Sequence, residues 1–256
     1  MRARAWLIAA LLVGLLAGLV IAPTVLSDRW PPSERLAKSG PADPVRPEAV
    51  IGPAPPTPVP APSPEELADA RAGVLDRAVP TTLGGELLVI PGVVAAPVPD
   101  APEVLQVRVE VEAGLPVDGA AFAQFVLEVL NDPRGWGAGG AISFARTDGN
   151  ADLRVVLASP TRIDQLCVPL RTVSLYSCGR NGHAALNAQR WANGADPFLE
   201  GGGDVTSYRQ YLVTHEVGHL LGHQHAQCPA AGAPAPVMVQ QSMSLGGCLP
   251  NPWPNP

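Results

Sequence analysis

The sequence is poor in charged residues and has no excess of basic ones. Only 16% of its 256 residues are charged, and 17 lysines and arginines stand against 23 acidic residues, which gives a formal net charge of -6. A protein that binds nucleic acid needs a basic patch or stripe to meet the phosphates. The composition therefore excludes nucleic acid as an expected partner.

Cysteine is also scarce, and its spacing excludes one kind of metal site. The four cysteines, Cys167, Cys178, Cys228 and Cys248, contain no C-x-x-C pair, the spacing typical of a four-cysteine zinc site. In an oxidising compartment we expect them to form disulfides. Three pairings are possible. Their order in the chain favours Cys167 with Cys178 and Cys228 with Cys248, since each bridge then closes a short loop.

Proline, in contrast, is abundant, and the start of the chain is unlike the rest. Residues 5–26 form an uncharged apolar run behind Arg2 and Arg4, long enough for a helix that crosses a bilayer core of about 30 Å. We predict an uncleaved membrane anchor over residues 1–27, with the following chain outside the cell because the arginines stay cytoplasmic. A signal peptide on a secreted protein is the alternative. The prolines after it predict a disordered linker over residues 28–65.

The remaining residues, 66–256, are predicted to fold as one domain, best defined from about residue 100. Apolar and polar residues alternate over 105–112, which indicates a half-buried strand. Asp118 can cap a helix whose apolar residues, from Phe122 to Leu130, lie on one face. Further strands are expected at 142–144, 152–157, 173–176 and 183–187, and a helix at 64–77 with Ser63 as its cap. A strand, a helix and another strand in this order imply a parallel crossover. The predicted class is α+β with a mixed, twisted sheet.

Four of only five histidines fall within "THEVGHLLGHQH", residues 214–225. Asp204 is a suitable N-cap for a helix that runs to about Leu221, and on this helix His215 and His219 project from one face. Gly222 can adopt the left-handed conformation that ends a helix. The chain would then return His225 toward the other two imidazoles. If the helix continued instead, His223 would be the third histidine on that face.

The full pattern, H-E-x-x-H-x-x-G-x-x-H, supplies three imidazoles and leaves a fourth position open. This is the ligand set of a catalytic zinc site. Zinc (Zn²⁺) is the predicted cofactor, although three imidazoles also suit other divalent ions. Glu216 is expected to act as the general base and not as a ligand. An HExxH that arises by chance is the alternative, but the complete pattern and the helix-ending glycine favour a metal site.

Two segments, "HEVGHLLGHQH" and "APVMVQQSM", resemble the metzincin clan of zinc metallopeptidases. The resemblance implies a methionine in a tight turn beneath the zinc, the Met-turn, for which Met238 is the better match and Met243 the weaker one. More closely, residues 105–254, with "SLYSC", "LNAQRW" and "CLPNPWP", are similar to an uncharacterised bacterial family of secreted or membrane-anchored metzincin-like domains.

The resemblance also implies an antiparallel edge strand along the substrate cleft, here residues 173–176, which would pair with an extended peptide. A surface hairpin is the alternative for this segment. Some members of the clan stabilise the oxyanion with a tyrosine two residues after the turn methionine, where this chain has Gln240. Tyr208 and Tyr211, ahead of the histidines, are expected to pack in the core.

The predicted function is that of a monomeric, membrane-tethered, extracytoplasmic zinc endopeptidase. It would hydrolyse peptide bonds of a protein or peptide substrate through a zinc-bound water, with Glu216 as base. Two alternatives share the same histidines: a non-catalytic zinc-bearing module that binds the cell envelope or a partner protein, and a zinc amidase that acts on cell-wall peptide.

Overall fold

Six strands and six α-helices form an α+β fold in residues 61–256, the part of the chain that the computed structural model describes. The predicted anchor over residues 1–27 and most of the predicted linker over 28–65 lie outside these residues. Within the described part, no helix is both long and apolar enough to cross a membrane.

The helices are α1 (Pro64–Arg71), α2 (Gly119–Leu130), α3 (Pro160–Leu166), α4 (Ala188–Asn193), α5 (Asp196–Glu200) and α6 (Val205–Leu220), with a short 3-10 helix at Ala138–Gly140. The strands are β1 (Leu87–Val89), β2 (Glu103–Glu112), β3 (Ile142–Arg146), β4 (Leu153–Ala158), β5 (Cys178–Arg180) and β6 (His183–Asn187).

The strands form one mixed sheet in the order β1-β2-β4-β6-β5, with β3 paired to β2. Strand β2 runs parallel to β3 and β4, and β4 runs parallel to β6. The outer strands β1 and β5 are antiparallel to their neighbours. Helix α2 connects the parallel strands β2 and β3, so the predicted crossover, the α+β class and the mixed sheet are confirmed.

Helix α2 forms for the reasons that the sequence suggests. The Asp118 carboxylate accepts hydrogen bonds from the N–H groups of Ala120 and Ala121, which have no partner within the helix. The apolar stripe is buried against the sheet, and Phe122 and Phe125 meet the ring of Trp191 edge to face. Burial of each of these large side chains contributes roughly 1.5–3 kcal/mol.

Helix α1 is shorter than the predicted helix at 64–77. Its N-cap is Ser63 as expected, but the helix ends at Arg71. Gly73 then takes a φ of 75°, and a Cβ there would lie 2.4 Å from the carbonyl oxygen of Asp118. Only glycine fits this close approach to the start of α2, so the chain turns into the core instead of continuing the helix.

A buried guanidinium joins α1 to α6. Arg209 is fully buried, and it donates to the Asp69 carboxylate at 2.6 Å and to the carbonyl oxygen of Trp191 at 2.7 Å. A buried cation is tolerated only when it is paired and hydrogen-bonded. Helix α1 is therefore part of the structure that supports α6.

The prediction of a strand at residues 173–176 is wrong. This segment is a turn in which Val173 and Ser174 have φ values of 48° and 57°, and the edge strand is β5, which starts at Cys178. The Asp164 carboxylate accepts hydrogen bonds from the Thr172 hydroxyl and from the N–H and hydroxyl of Ser174. These bonds fold the segment into a loop, a competition between side chain and backbone that alternating hydrophobicity does not reveal.

Both disulfides have the predicted pairing. Cys167 is bonded to Cys178, and Cys228 to Cys248. The first bridge closes the loop that precedes β5, which we name the 168–177 loop. The second joins the chain after the histidine motif to the segment near the C-terminus.

Candidate metal centre

Helix α6 carries the histidine motif through the interior of the domain. Asp204 and Ser207 form a capping box at its start, in which the Asp204 carboxylate accepts a hydrogen bond from the N–H of Ser207 and the Ser207 hydroxyl accepts one from the N–H of Asp204. Ten of the helix residues are buried, from Tyr208 to Gly218. His215 and Glu216 are therefore held on a rigid element with packing on several sides.

The structure brings together the three predicted histidines. One ring nitrogen each from His215, His219 and His225 lies within 4.8 Å of the other two, and the Nε2 atoms of His219 and His225 are 3.1 Å apart. Four ligands at about 2.0–2.1 Å around a tetrahedral zinc stand roughly 3.3 Å from one another. The spacing of the nitrogens fits one shared ion.

The outer nitrogens of two imidazoles are fixed by backbone carbonyls. Nδ1 of His215 donates to the carbonyl oxygen of Val237 at 2.9 Å, and Nδ1 of His219 donates to that of His223 at 2.9 Å. A carbonyl can only accept, so both Nδ1 atoms carry a proton, and Nε2 is the atom of each ring that can bind a metal ion. Proteins commonly orient metal-binding histidines by such hydrogen bonds from the ring nitrogen that does not bind the metal.

The electrostatic environment keeps two of the rings neutral. Burial lowers the pKa of His215 to about 3, and burial also lowers the pKa of His225. A neutral imidazole is the form that binds a metal ion. His215 and His225 therefore present lone pairs and not positive charges to a cation.

A glycine-ended turn delivers the third histidine. After α6 ends, Gly222 takes a φ of 92°, its N–H donates to the carbonyl of His219, and the N–H of His223 donates to that of Gly218. This pair of bonds is the Schellman motif, in which a left-handed residue closes the helix. The chain reverses there as predicted, and the reversal places His225 beside His219.

The ring of His223 points away from the other imidazoles. It stacks on the indole of Trp136, with the ring centroids 4.1 Å apart and the planes 14° from parallel. His223 thus contributes a carbonyl to the site and not a ring. His223 is therefore not the third histidine of the cluster, and that alternative is wrong.

Met238 lies in a tight turn against α6. The N–H of Val239 donates to the carbonyl of Pro236 across the turn, and Met238 is buried. A Cβ on Gly218 of α6 would be 2.7 Å from the Met238 sulfur, so the glycine is what lets the turn approach the helix. Met243, the weaker match, is 50% exposed on the wall of the cleft.

Glu216 is buried between α6 and the edge strand. Burial raises the pKa of its carboxyl to about 8, and a hydrogen bond from the N–H of Gly179 lowers it in part. Strand β5 is in close contact here, because a Cβ on Gly179 would lie 2.0 Å from the backbone oxygen of Glu216. A dication held by the histidines would favour the charged carboxylate and oppose the effect of burial.

The histidines and Glu216 line a cleft of about 480 Å³. One wall is the 168–177 loop and β5, and the other contains Gln240, Ser242 and Met243. Tyr211 is buried behind the cleft, where its hydroxyl donates to the carbonyl of Val239 and accepts from the N–H of Gln241. The expected packing role of Tyr208 and Tyr211 is confirmed by their burial.

Several residues of the site carry no signal in the sequence. Trp136, Gly179 and Arg171 reach the site only through the fold, from loops or strand ends distant from the histidine motif. Tyr176 also lines the cleft. It belongs to the segment 173–176, which the resemblance to metzincins placed along the cleft as a strand.

Fold and cleft together define this part of the chain as an α+β domain with a three-histidine candidate metal centre and a buried glutamate beside it. Residues 78–256 match the family described as "Protein of unknown function (DUF3152)", and the chain belongs to that family. Comparisons with curated proteins and with solved structures found no match.

Proposed function

We propose that the protein is a metzincin-like, zinc-dependent endopeptidase that acts outside the cell. The convergence of three imidazole nitrogens within 4.8 Å, in a cleft that Glu216 also lines, is the observation that carries this proposal. The Met238 turn and the antiparallel edge strand β5 beside the cleft support the comparison with metzincins.

Each residue of the centre has a distinct part in the proposed reaction. His215, His219 and His225 would hold zinc, which supplies an acidified water and polarises the scissile carbonyl when it is bound. Glu216 takes a proton within the cleft and returns it to the leaving amine. The N–H of Gly179 and the packing of β5 hold the Glu216 carboxyl in position for both transfers.

The proposed location rests on the disulfides and on the start of the chain. Two disulfides and no free cysteine among residues 61–256 favour an oxidising compartment. With the apolar run at residues 5–26, this favours a single-pass anchor with the domain outside the membrane, or a secreted form if the run is cleaved. A monomer is the proposed state.

The test uses full-length protein, a peptide library and cell-wall fragments, each with and without a chelator. We expect chelator-sensitive cleavage of peptides by the wild type, and a loss of at least about a thousandfold in kcat for Glu216→Ala with zinc retained. Cleavage of cell-wall fragments alone would assign an amidase instead. Wild-type rates in Glu216→Ala would contradict the proposal, and zinc binding without any cleavage would favour the binding module.

A further inference from the structure

One arginine of the domain is set apart from all the others. Residues 61–256 contain 11 arginines and no lysine, against 19 acidic residues. Ten of these arginines donate a hydrogen bond to another residue within this range. Arg171 donates none to any described residue, and it is one of the exposed residues that line the cleft.

Arg171 is held in place by its neighbours and not by its own side chain. It lies in the 168–177 loop, which the Cys167–Cys178 bridge closes. The next residue, Thr172, is buried and donates its hydroxyl to Asp164. Because three donors already occupy the Asp164 carboxylate, that group is engaged and does not compete for the guanidinium.

Charged groups are otherwise rare on the cleft surface. Among the residues of the described part, 61–256, that line it, Glu216 alone carries a carboxylate, and Leu170 and Met243 are each about half exposed there. Arg171 is exposed to solvent, and its guanidinium presents a fork of N–H donors that matches the two oxygens of a carboxylate. In a domain with an excess of acid, a free guanidinium at this place attracts an anion that the rest of the surface repels.

We infer that Arg171 determines specificity by binding a carboxylate of the peptide in the cleft, a conclusion that rests on the proposed peptidase function. The carboxylate is either an acidic side chain within the substrate or the substrate's own C-terminus. Binding of an acidic side chain would make the enzyme selective for acidic sequences. Binding of the C-terminal carboxylate would make it remove short peptides from the C-terminus of its substrate.

Four peptides that share one sequence distinguish the two sources of the carboxylate. Two carry an internal Glu and two carry Gln at the same position, and one peptide of each pair has a free C-terminus while the other is amidated. With full-length zinc-loaded protein, we expect the peptides that carry the recognised carboxylate to show about five- to tenfold higher kcat/KM. Arg171→Gln should abolish this preference, and Arg171→Lys should retain part of it. Arg71→Gln is the matched control, because it removes an exposed charge on α1.

The same peptides are also measured for binding by fluorescence anisotropy, which does not require turnover. Equal rates and equal affinities for all four peptides, or an unchanged preference in Arg171→Gln, would overturn the assignment. If the protein bound the carboxylate-bearing peptides selectively but showed no chelator-sensitive cleavage, only the peptidase function would be refuted. Circular dichroism of each variant shows whether it is folded.

Discussion

The Nδ1 atom of His215 lies 2.9 Å from the carbonyl oxygen of Val237, the residue that precedes Met238. One histidine of the candidate metal centre is therefore oriented by the turn that contains the buried methionine. The carbonyl of Met238 itself accepts the N–H of Ala226, directly after His225. The turn thus supports two of the three imidazoles from below.

Truncation of Met238 should weaken both the fold and the centre. Met238→Ala is expected to lower the free energy of unfolding by about 2–4 kcal/mol, because it leaves a cavity in the core. It should also lower zinc affinity by about tenfold through the displaced carbonyl of Val237. Met238→Leu conserves volume and should stay close to the wild type. Denaturant unfolding and chelator competition measure the two effects, and native zinc affinity in Met238→Ala would refute the supporting role of the turn.

Gly222 allows a test of the turn that delivers His225. Its φ of 92° is unfavourable for any residue with a Cβ, although a Cβ there would meet nothing within 4 Å. Gly222→Ala should therefore destabilise the fold by about 1–2 kcal/mol through backbone conformation alone. Zinc affinity should fall as well, since the carbonyl of His223 and the ring of His225 both depend on this reversal. Gly222→Asn, which tolerates the left-handed conformation better, should lie between the alanine variant and the wild type.

The contact between β5 and α6 predicts that Gly179 cannot be replaced. A methyl group at this position would lie 2.0 Å from the backbone of Glu216, so the strand must move away from the helix. We expect Gly179→Ala to cost about 3 kcal/mol in stability and to reduce catalysis more than zinc binding. Gly149→Ala is the control, because the nearest atom to its Cβ is 3.6 Å away. Equal melting temperatures for the two alanine variants would contradict the close contact between Gly179 and the backbone of Glu216.

Glu110 predicts a defined pH dependence of stability. Its carboxylate is nearly buried in the sheet and receives the guanidinium groups of Arg154 and Arg108. Burial alone would raise the pKa of Glu110, but the hydrogen bonds and charges of the two arginines lower it below its usual value. The carboxylate therefore stabilises the fold above the pKa of the unfolded chain, and this contribution is lost as the pH falls through the lower pKa of the folded state.

Glu110→Gln removes that contribution. At neutral pH we expect the variant to be less stable by about 2 kcal/mol, and the difference from the wild type should shrink as the pH falls below about 4.5. Urea unfolding across pH 3 to 7 measures it. A difference that stays constant over this range would contradict the assigned pKa direction.

Sequence patterns predicted the parts of the fold that local chemistry determines. Residues close to one another in the chain determine four of these features: the alternation in β2, the Asp118 cap of α2, the Asp204 cap of α6 and the end of α6 before Gly222. The grouping of His215, His219 and His225 follows from the same local rules, because helix spacing and one glycine fix it.

The patterns failed where distant residues compete with local preference. The sequence predicted a strand at residues 173–176, but hydrogen bonds to Asp164 and the Cys167–Cys178 bridge hold them in a loop. Helix α1 stops early because Gly73 meets the backbone of Asp118. Neither contact leaves a periodic signal in the sequence. For the same reason, Trp136 and Gly179 could not be assigned to the site before the fold was known.

We propose that His215, His219 and His225 hold one zinc ion, and direct metal analysis of the full-length protein tests this most directly. We expect about one zinc per chain in the wild type and in His223→Ala, whose ring lies outside the cluster. Zinc should be lost from the alanine variants at positions 215, 219 and 225. A wild type that takes up no zinc, or a His225→Ala variant that keeps a full equivalent while His223→Ala loses it, would contradict the account.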